Sequence, residues 1–148
     1  TRQETVTAGL EAMMNRQFKQ ITAIYTRIDS GKFNMEEAIS HQKASLTGYA
    51  REHGLTNIRV YSDYGFSAYD EMRPAFVELE NDIRHGKVSA LVLFDLPRLS
   101  RDYIIISEWI ETFLPHYHVG LHSIKEQITP ERPIPLALPI AALFGGGW

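Results

Sequence analysis

The run Ser89-Ala-Leu-Val-Leu-Phe94 constrains the fold of this chain more than any other stretch. Its apolar residues follow one another without the polar alternation of a half-wetted strand, so it reads as a strand buried on both faces. Such strands belong in parallel sheets covered by helices, and the flanking sequence supplies both. Gln20-Ile-Thr-Ala-Ile-Tyr-Thr-Arg-Ile28 is rich in β-branched and aromatic residues and is bounded by the polar Asp29-Ser30-Gly31-Lys32, which marks a first strand and a loop. Ile58-Arg-Val-Tyr61 reads as a second strand and Val119 to Ile124 as a fourth.

The intervening segments switch to helical spacing. Asn34 can cap a helix whose apolar stripe runs Met35, Ile39, Leu46, Tyr49 and Ala50 and which Gly54 stops. Pro74 opens a second helix through Phe76, Leu79 and Ile83 that Gly86 closes. A third is expected from about Ser100 to Leu114, with Ile104, Ile105, Trp109 and Phe113 toward the core. Strand and helix alternate throughout. The order predicts an α/β fold: a parallel sheet of about four strands, helices on both faces, and ligand chemistry at the carboxyl ends of the strands.

A chain of 148 residues, 44% of them hydrophobic, supports one core, placed here at residues 21–125. Residues 1–20 form an N-terminal extension in which Leu10, Met13, Met14 and Phe18 fall at helix-like intervals. Residues 126–148, punctuated by Pro130, Pro133, Pro135 and Pro139 and ending in Gly145-Gly-Gly-Trp148, are expected to leave the core as an irregular arm. The absence of cysteine removes disulfides, thiolate metal sites and thiol nucleophiles. Apolar runs fall short of the ~20 residues of a membrane span, and the first residues lack a leader's basic-then-apolar pattern, so a cytoplasmic protein with no membrane partner is expected. A net charge of -3 means that any nucleic-acid contact must be local.

Local positive charge is available. Arg27 closes the first strand, Arg73 lies in the loop after the second, and Arg98 and Arg101 follow the third. In a parallel sheet these ends converge, and gathered guanidiniums call for an oxygen-rich anion, best a phosphate. The spacing of Arg98 and Arg101 is expected to place both on one side of a helix start, whose N–H groups would serve the same anion. Taken singly, each arginine reads more readily as half of a surface ion pair, Arg98 with Asp102 for example; it is the four together that point to a phosphate site.

Four blocks in order resemble the signature of the serine recombinases: Tyr25-Thr-Arg27, Ser40-His-Gln42, Asp63-Tyr-Gly65-Phe-Ser67 followed by Arg73-Pro74, and Leu96-Pro-Arg98-Leu-Ser-Arg101-Asp102-Tyr103. The resemblance spans about Ile21 to Ile124 and is nearest in flavour to the large recombinases of conjugative transposons and phages, relatives of resolvases and invertases. It implies a resolvase-like sheet and metal-free phosphoryl transfer with no cofactor. In the family a serine attacks the scissile phosphate to give a covalent 5′-phosphoserine link. The partners implied are double-stranded DNA, bound mainly through regions outside this chain, and further copies of the chain, from dimer to tetramer during recombination. The segment Pro139-Ile-Ala-Ala-Leu-Phe144 is similar to the stretch that leads, in those proteins, to a long helix and the DNA-binding region. Carried over residue by residue, Arg27, Arg73, Arg98 and Arg101 fall on the phosphate-binding arginines and Gln42 on the active-site glutamine. Gln42 also lies on the inward stripe of the first helix, where it could equally bond nearby backbone. Tyr25 matches the aromatic of the first block, although a strand tyrosine is more often core than catalytic.

The sequence departs from the family pattern at its chemical centre. Where Tyr-x-Arg-x-Ser is usual, the chain reads Tyr25-Thr-Arg27-Ile-Asp29, with Ser30 one residue late. Asp29 shares a face with Arg27 if the strand continues, and Ser30 then points away. Three outcomes follow: an inactive domain with Asp29 against the arginines, an active one in which Ser30 enters the pocket, or a partner subunit for an active relative. Phe94 and Pro97 also depart from the usual Lys-Asp-Leu-Ser-Arg, and Ser100 replaces a usual glycine. Two readings from other classes compete. A flavodoxin-like phosphate-binding domain would share the element order, but the turn after the first strand lacks a glycine-rich phosphate loop. A metal hydrolase would need ligand spacing that His116 and His118 do not offer, so no metal is expected.

Overall fold

The structure, a computed structural model, describes residues 20–28, 35–64 and 73–133. Four strands, β1 (Ile21–Ile28), β2 (Ile58–Tyr64), β3 (Val88–Leu93) and β4 (Gly120–Ser123), form one sheet in the order β2-β1-β3-β4. Every neighbouring pair is parallel. β1 and β3 are central, and their burial follows from their apolar sequences: Ala90 to Leu93 are all buried, as are Thr22 to Ile28.

Alternation along β1 sorts its side chains between two layers. Ile24, with Val92 of β3, packs on Leu46 and Ala50 of helix α1 (Met35–Glu52). Ala23 and Tyr25 face the opposite layer, where Phe76, Leu79 and Ile83 of α2 (Pro74–Arg84) meet Leu96, Leu99, Ile106, Trp109 and Leu114. Helices therefore cover both faces. Gly54 and Gly86 end α1 and α2 with φ of +71° at each, a left-handed backbone that a Cβ disfavours.

The segment after β3 differs from the single helix expected. Residues Leu96–Leu99 form a short helix, α3, capped by Asp95, whose carboxylate accepts the Arg98 N–H at 3.1 Å. Ser100 is extended (φ −162°, ψ 152°), and a new helix, α4 (Tyr103–Glu108), starts where the Asp102 carboxylate accepts the Ile104 N–H at 2.9 Å. Trp109–Phe113 then widen into a π turn before α5 (Leu114–His116). In that turn the Leu114 N–H reaches back five residues to the Trp109 carbonyl. Pro115 has no N–H to give and its ring crowds the carbonyl four residues back, so a widened turn before it is a natural accommodation. The helix that carries Ile104 starts only at Tyr103, and it presents a different face to the core from the one expected. Ile106 is buried whereas Ile104 is 57% exposed, which overturns the core contact expected of Ile104. Trp109 is buried as expected, and Ile105 and Phe113 pack at its margin.

Two other boundaries move. β2 extends to Tyr64, three residues past the expected end, because Ser62 and Asp63 keep their register with Thr26 and Arg27 despite low strand propensity. The first residues of the segment expected to leave the core at residue 126 stay against it. Ile128 is buried and bridges Ser123, Gln127 turns with φ of +57°, and Pro130 packs close against Gly120. An apolar residue after a tight turn returns the chain to β4. The N-terminal extension, the proposed Asn34 cap and residues 134–148 lie outside the described residues. Among the described residues, no helix is long and apolar enough to cross a membrane.

The Gly86 turn yields a clean stability expectation. A Cβ there would meet nothing within 4 Å, so Gly86→Ala tests backbone conformation alone. It should destabilise the domain by about 1 kcal/mol in urea denaturation, with an unchanged m-value.

Candidate functional site

At the carboxyl ends of β1 and β3, two arginines are almost wholly enclosed. Arg27 is 0% and Arg73 1% exposed. A buried guanidinium must find acceptors for its donors, and both find the same short stretch of backbone. Arg27 Nε donates to the Arg98 carbonyl at 3.2 Å and its Nη2 to the Pro97 carbonyl at 3.0 Å. Arg73 Nη1 donates to the Arg98 carbonyl at 3.3 Å, and its Nη2 makes a short bond to the Leu99 carbonyl. The carbonyls of α3 thus form a rack for two cations that arrive from distant parts of the sequence.

Arg73 is held from the other side as well. Its guanidinium carbon lies 4.3 Å from the centre of the Phe76 ring, a cation–π contact, and Nη1 donates to the Tyr25 hydroxyl at 2.9 Å. That hydroxyl donates in turn to Asp63 Oδ2 at 2.8 Å. The Asp63 carboxylate, opposite Arg27 in the sheet register, accepts the Ala75 and Phe76 N–H groups at 2.9 Å each. It therefore caps α2 from β2, a role that the local capping residue, Arg73, does not fill with its own side chain. Burial, with the adjacent Asp63 carboxylate, pushes the Tyr25 phenol far above its ordinary range, so it remains a protonated donor. Tyr25 is a core residue, and its polar tip serves the site.

The other arginines complete a positive cluster. Arg98 is partly buried; its Nε has no hydrogen-bond acceptor, and Asp95 Oδ1 lies 3.7 Å away, an ion-pair distance. Arg98 does not pair with Asp102, whose carboxylate caps α4 instead. Arg101 is exposed in the link between α3 and α4. The expectation that Arg98 and Arg101 share one side of a helix start is corrected: α3 ends at Leu99, and Ser100 turns the backbone to an extended conformation between them. All four charges still interact. Burial first, then the charges of Arg73 and Arg98 with a smaller part from Arg101, holds the Arg27 guanidinium down to about 10. A cation so depressed lies where further negative charge is welcome.

Gln42 lies half-buried on α1, the layer opposite Tyr25 and Arg27, and its Oε1 is buried without a hydrogen-bond partner. The acceptor oxygen does not bond nearby backbone. Asp29 and Ser30 lie outside the described residues. Sequence reasoning missed Asp63 as a supporting residue, although its place two residues past a clear strand and ten before Arg73 was open to view.

The family model described as "Resolvase, N terminal domain" matches residues 22–144. Among solved structures, the N-terminal catalytic domain of TP901-1 integrase is 27% identical, with 84% of this chain and 88% of that one covered at a TM-score of 0.67. A resolvase family site-specific recombinase from Streptococcus pneumoniae is 23% identical over 85% of this chain and 84% of that one, TM-score 0.64. A serine recombinase from Sulfolobus solfataricus is 21% identical over 72% and 69%, TM-score 0.53, a likeness of fold.

Removing the Tyr25 hydroxyl takes an acceptor from Arg73 and a donor from Asp63, both buried. Tyr25→Phe should destabilise the domain by about 1–3 kcal/mol, read by chemical denaturation, and should broaden or shift the Arg73 guanidinium resonances.

Proposed function

The chain belongs to the resolvase N-terminal domain family and is a serine recombinase catalytic domain, and from that premise we propose that Arg27, Arg73, Arg98 and Arg101 bind the scissile phosphate of double-stranded DNA for metal-independent site-specific recombination. One observation carries the reading: two enclosed guanidiniums converge on the Arg98 carbonyl while the buried Nε of Arg98 itself has no acceptor. Fixed donors around a charged phosphate stabilise the added negative charge of a pentacoordinate transition state without reorganising, the task that a metal ion performs elsewhere.

The nucleophile in this reading is Ser30. Its hydroxyl oxygen bonds to phosphorus, the bond from phosphorus to the 3′ oxygen breaks, and the proton lost by Ser30 balances the one gained by the 3′-hydroxyl. The result is a 5′-phosphoserine link whose energy is kept for rejoining strands. Attack by Asp29 would instead give an acyl phosphate, which hydrolyses readily and makes a poor reservoir. The resemblance gives Gln42 a part in the same reaction from α1, on the other face of the sheet, where its buried acceptor oxygen would take a hydroxyl donor. Strand exchange in this family joins several subunits, so the acting form is an oligomer, from dimer to tetramer.

A second reading is favoured by one observation, the carboxylate at position 29. Asp29 placed among the arginines would occupy the anion's position and leave a non-catalytic partner that lends its surface to an active relative. Covalent capture on a nicked suicide DNA substrate at low salt separates the two. The first reading expects a protein–DNA link from the unaltered chain, abolished in Ser30→Ala and unaffected in Asp29→Ala. A link that forms only in Asp29→Ser supports the second. Capture in none of these proteins, with no binding of inorganic phosphate, would overturn the assignment of the arginine cluster.

A further inference from the structure

Glu126 lies three residues beyond β4, in a turn that the phosphate reading does not use. Its carboxylate is partly buried, takes a short hydrogen bond from the Ser123 hydroxyl, and accepts the Leu96 N–H at 3.3 Å on each oxygen. Leu96 is the first residue of α3. Burial, with a smaller push from Asp95, raises the Glu126 carboxyl above its ordinary range, while the bonds from Ser123 and Leu96 oppose the shift.

A helix of four residues has little stability of its own, because a single turn fixes several dihedrals for one or two bonds. α3 must be held from outside. At its amino end, Asp95 accepts the Arg98 N–H and Glu126 the Leu96 N–H, while Pro97 has no N–H to leave unsatisfied. At its carboxyl end, the Pro97, Arg98 and Leu99 carbonyls accept the guanidiniums of Arg27 and Arg73. Carboxylates at one end and guanidiniums at the other both follow the direction of the peptide dipoles. The orientation of the carbonyl rack, and with it the position of two enclosed cations, depends on where the first N–H is anchored.

We propose that Glu126 is a positioning residue: by anchoring the Leu96 N–H it orients α3, and through the carbonyls of α3 it fixes where Arg27 and Arg73 present their guanidiniums. The functional value of that placement rests on the phosphate reading, but the placement itself can be measured without any ligand.

The test uses the whole chain and nitrogen-15 NMR of arginine Nε–H groups, with Arg27 Nε, the donor to the Arg98 carbonyl, as the reporter. In Glu126→Ala, the Arg27 Nε–H should exchange with water about tenfold faster or more, the effect of losing one net hydrogen bond. Methyl resonances of Ile24, Leu46 and Val92, in the layer on the other face of the sheet, should stay in place. Glu126→Gln retains an acceptor oxygen for Leu96 and should restore most of the protection. Unchanged Arg27 exchange in a folded Glu126→Ala overturns the proposal, and so does a Glu126→Gln as disruptive as the alanine. If Glu126→Ala does not fold, Ser123→Ala takes its place: it frees the carboxylate from one side and should accelerate exchange severalfold, and no acceleration overturns the proposal. Titration of the unaltered chain with inorganic phosphate is a separate arm. Absence of any response there counts against the phosphate reading and leaves the exchange result to stand or fall by itself.

Discussion

The peptide carbonyl of Arg98, which accepts hydrogen bonds from both Arg27 and Arg73, is the contact on which the rest of this molecule's architecture depends. Enclosing a guanidinium carries a penalty of several kcal/mol per ion. A hydrogen bond to a charged group returns about 1.5–3 kcal/mol, so two bonds per cation from the α3 carbonyls offset much of the penalty. Burial and the neighbouring charges of Arg73 and Arg98 still hold the Arg27 guanidinium below its ordinary range.

The fold makes this contact unavoidable. Placing β1 between β2 and β3, with every strand parallel, brings the carboxyl ends of β1 and β3 side by side, so Arg27 faces the turn that follows β3. Extension of β2 to Tyr64 sets Asp63 opposite Arg27 in register, from where it caps α2 and steadies Tyr25. Arg73, immediately before α2, is delivered to the same place by the helix that Asp63 anchors. Three crossovers thus converge on one short turn of backbone.

Much of this was legible in the residues. β1 and β3 announce themselves because uninterrupted apolar strands have few alternatives, and Pro74 and Gly86 bracket α2 because their backbone preferences are local. The end of β2 was not, since Ser62 and Asp63 are held by register with β1, a non-local cause. The break between α3 and α4 was hidden for a related reason: Ser100-Arg101-Asp102 reads as helix until the Asp102 side chain is seen capping the next turn. At the site, the arginines stood out through their place after strands and through the family blocks. The carbonyl rack did not, because a backbone oxygen has no sequence signature, and Asp63 and Glu126 act through backbone groups far along the chain.

The central claim, that the arginine cluster is a built oxyanion site, is tested most directly by thermal unfolding against inorganic phosphate at millimolar concentrations, below the range of general salt stabilisation. The account predicts a saturable rise in Tm for the unaltered chain, equivalent to about 2.7 kcal/mol at a hundred times the dissociation constant, and no rise for Arg98→Ala. The same Tm response in both proteins, or none in either, would contradict it.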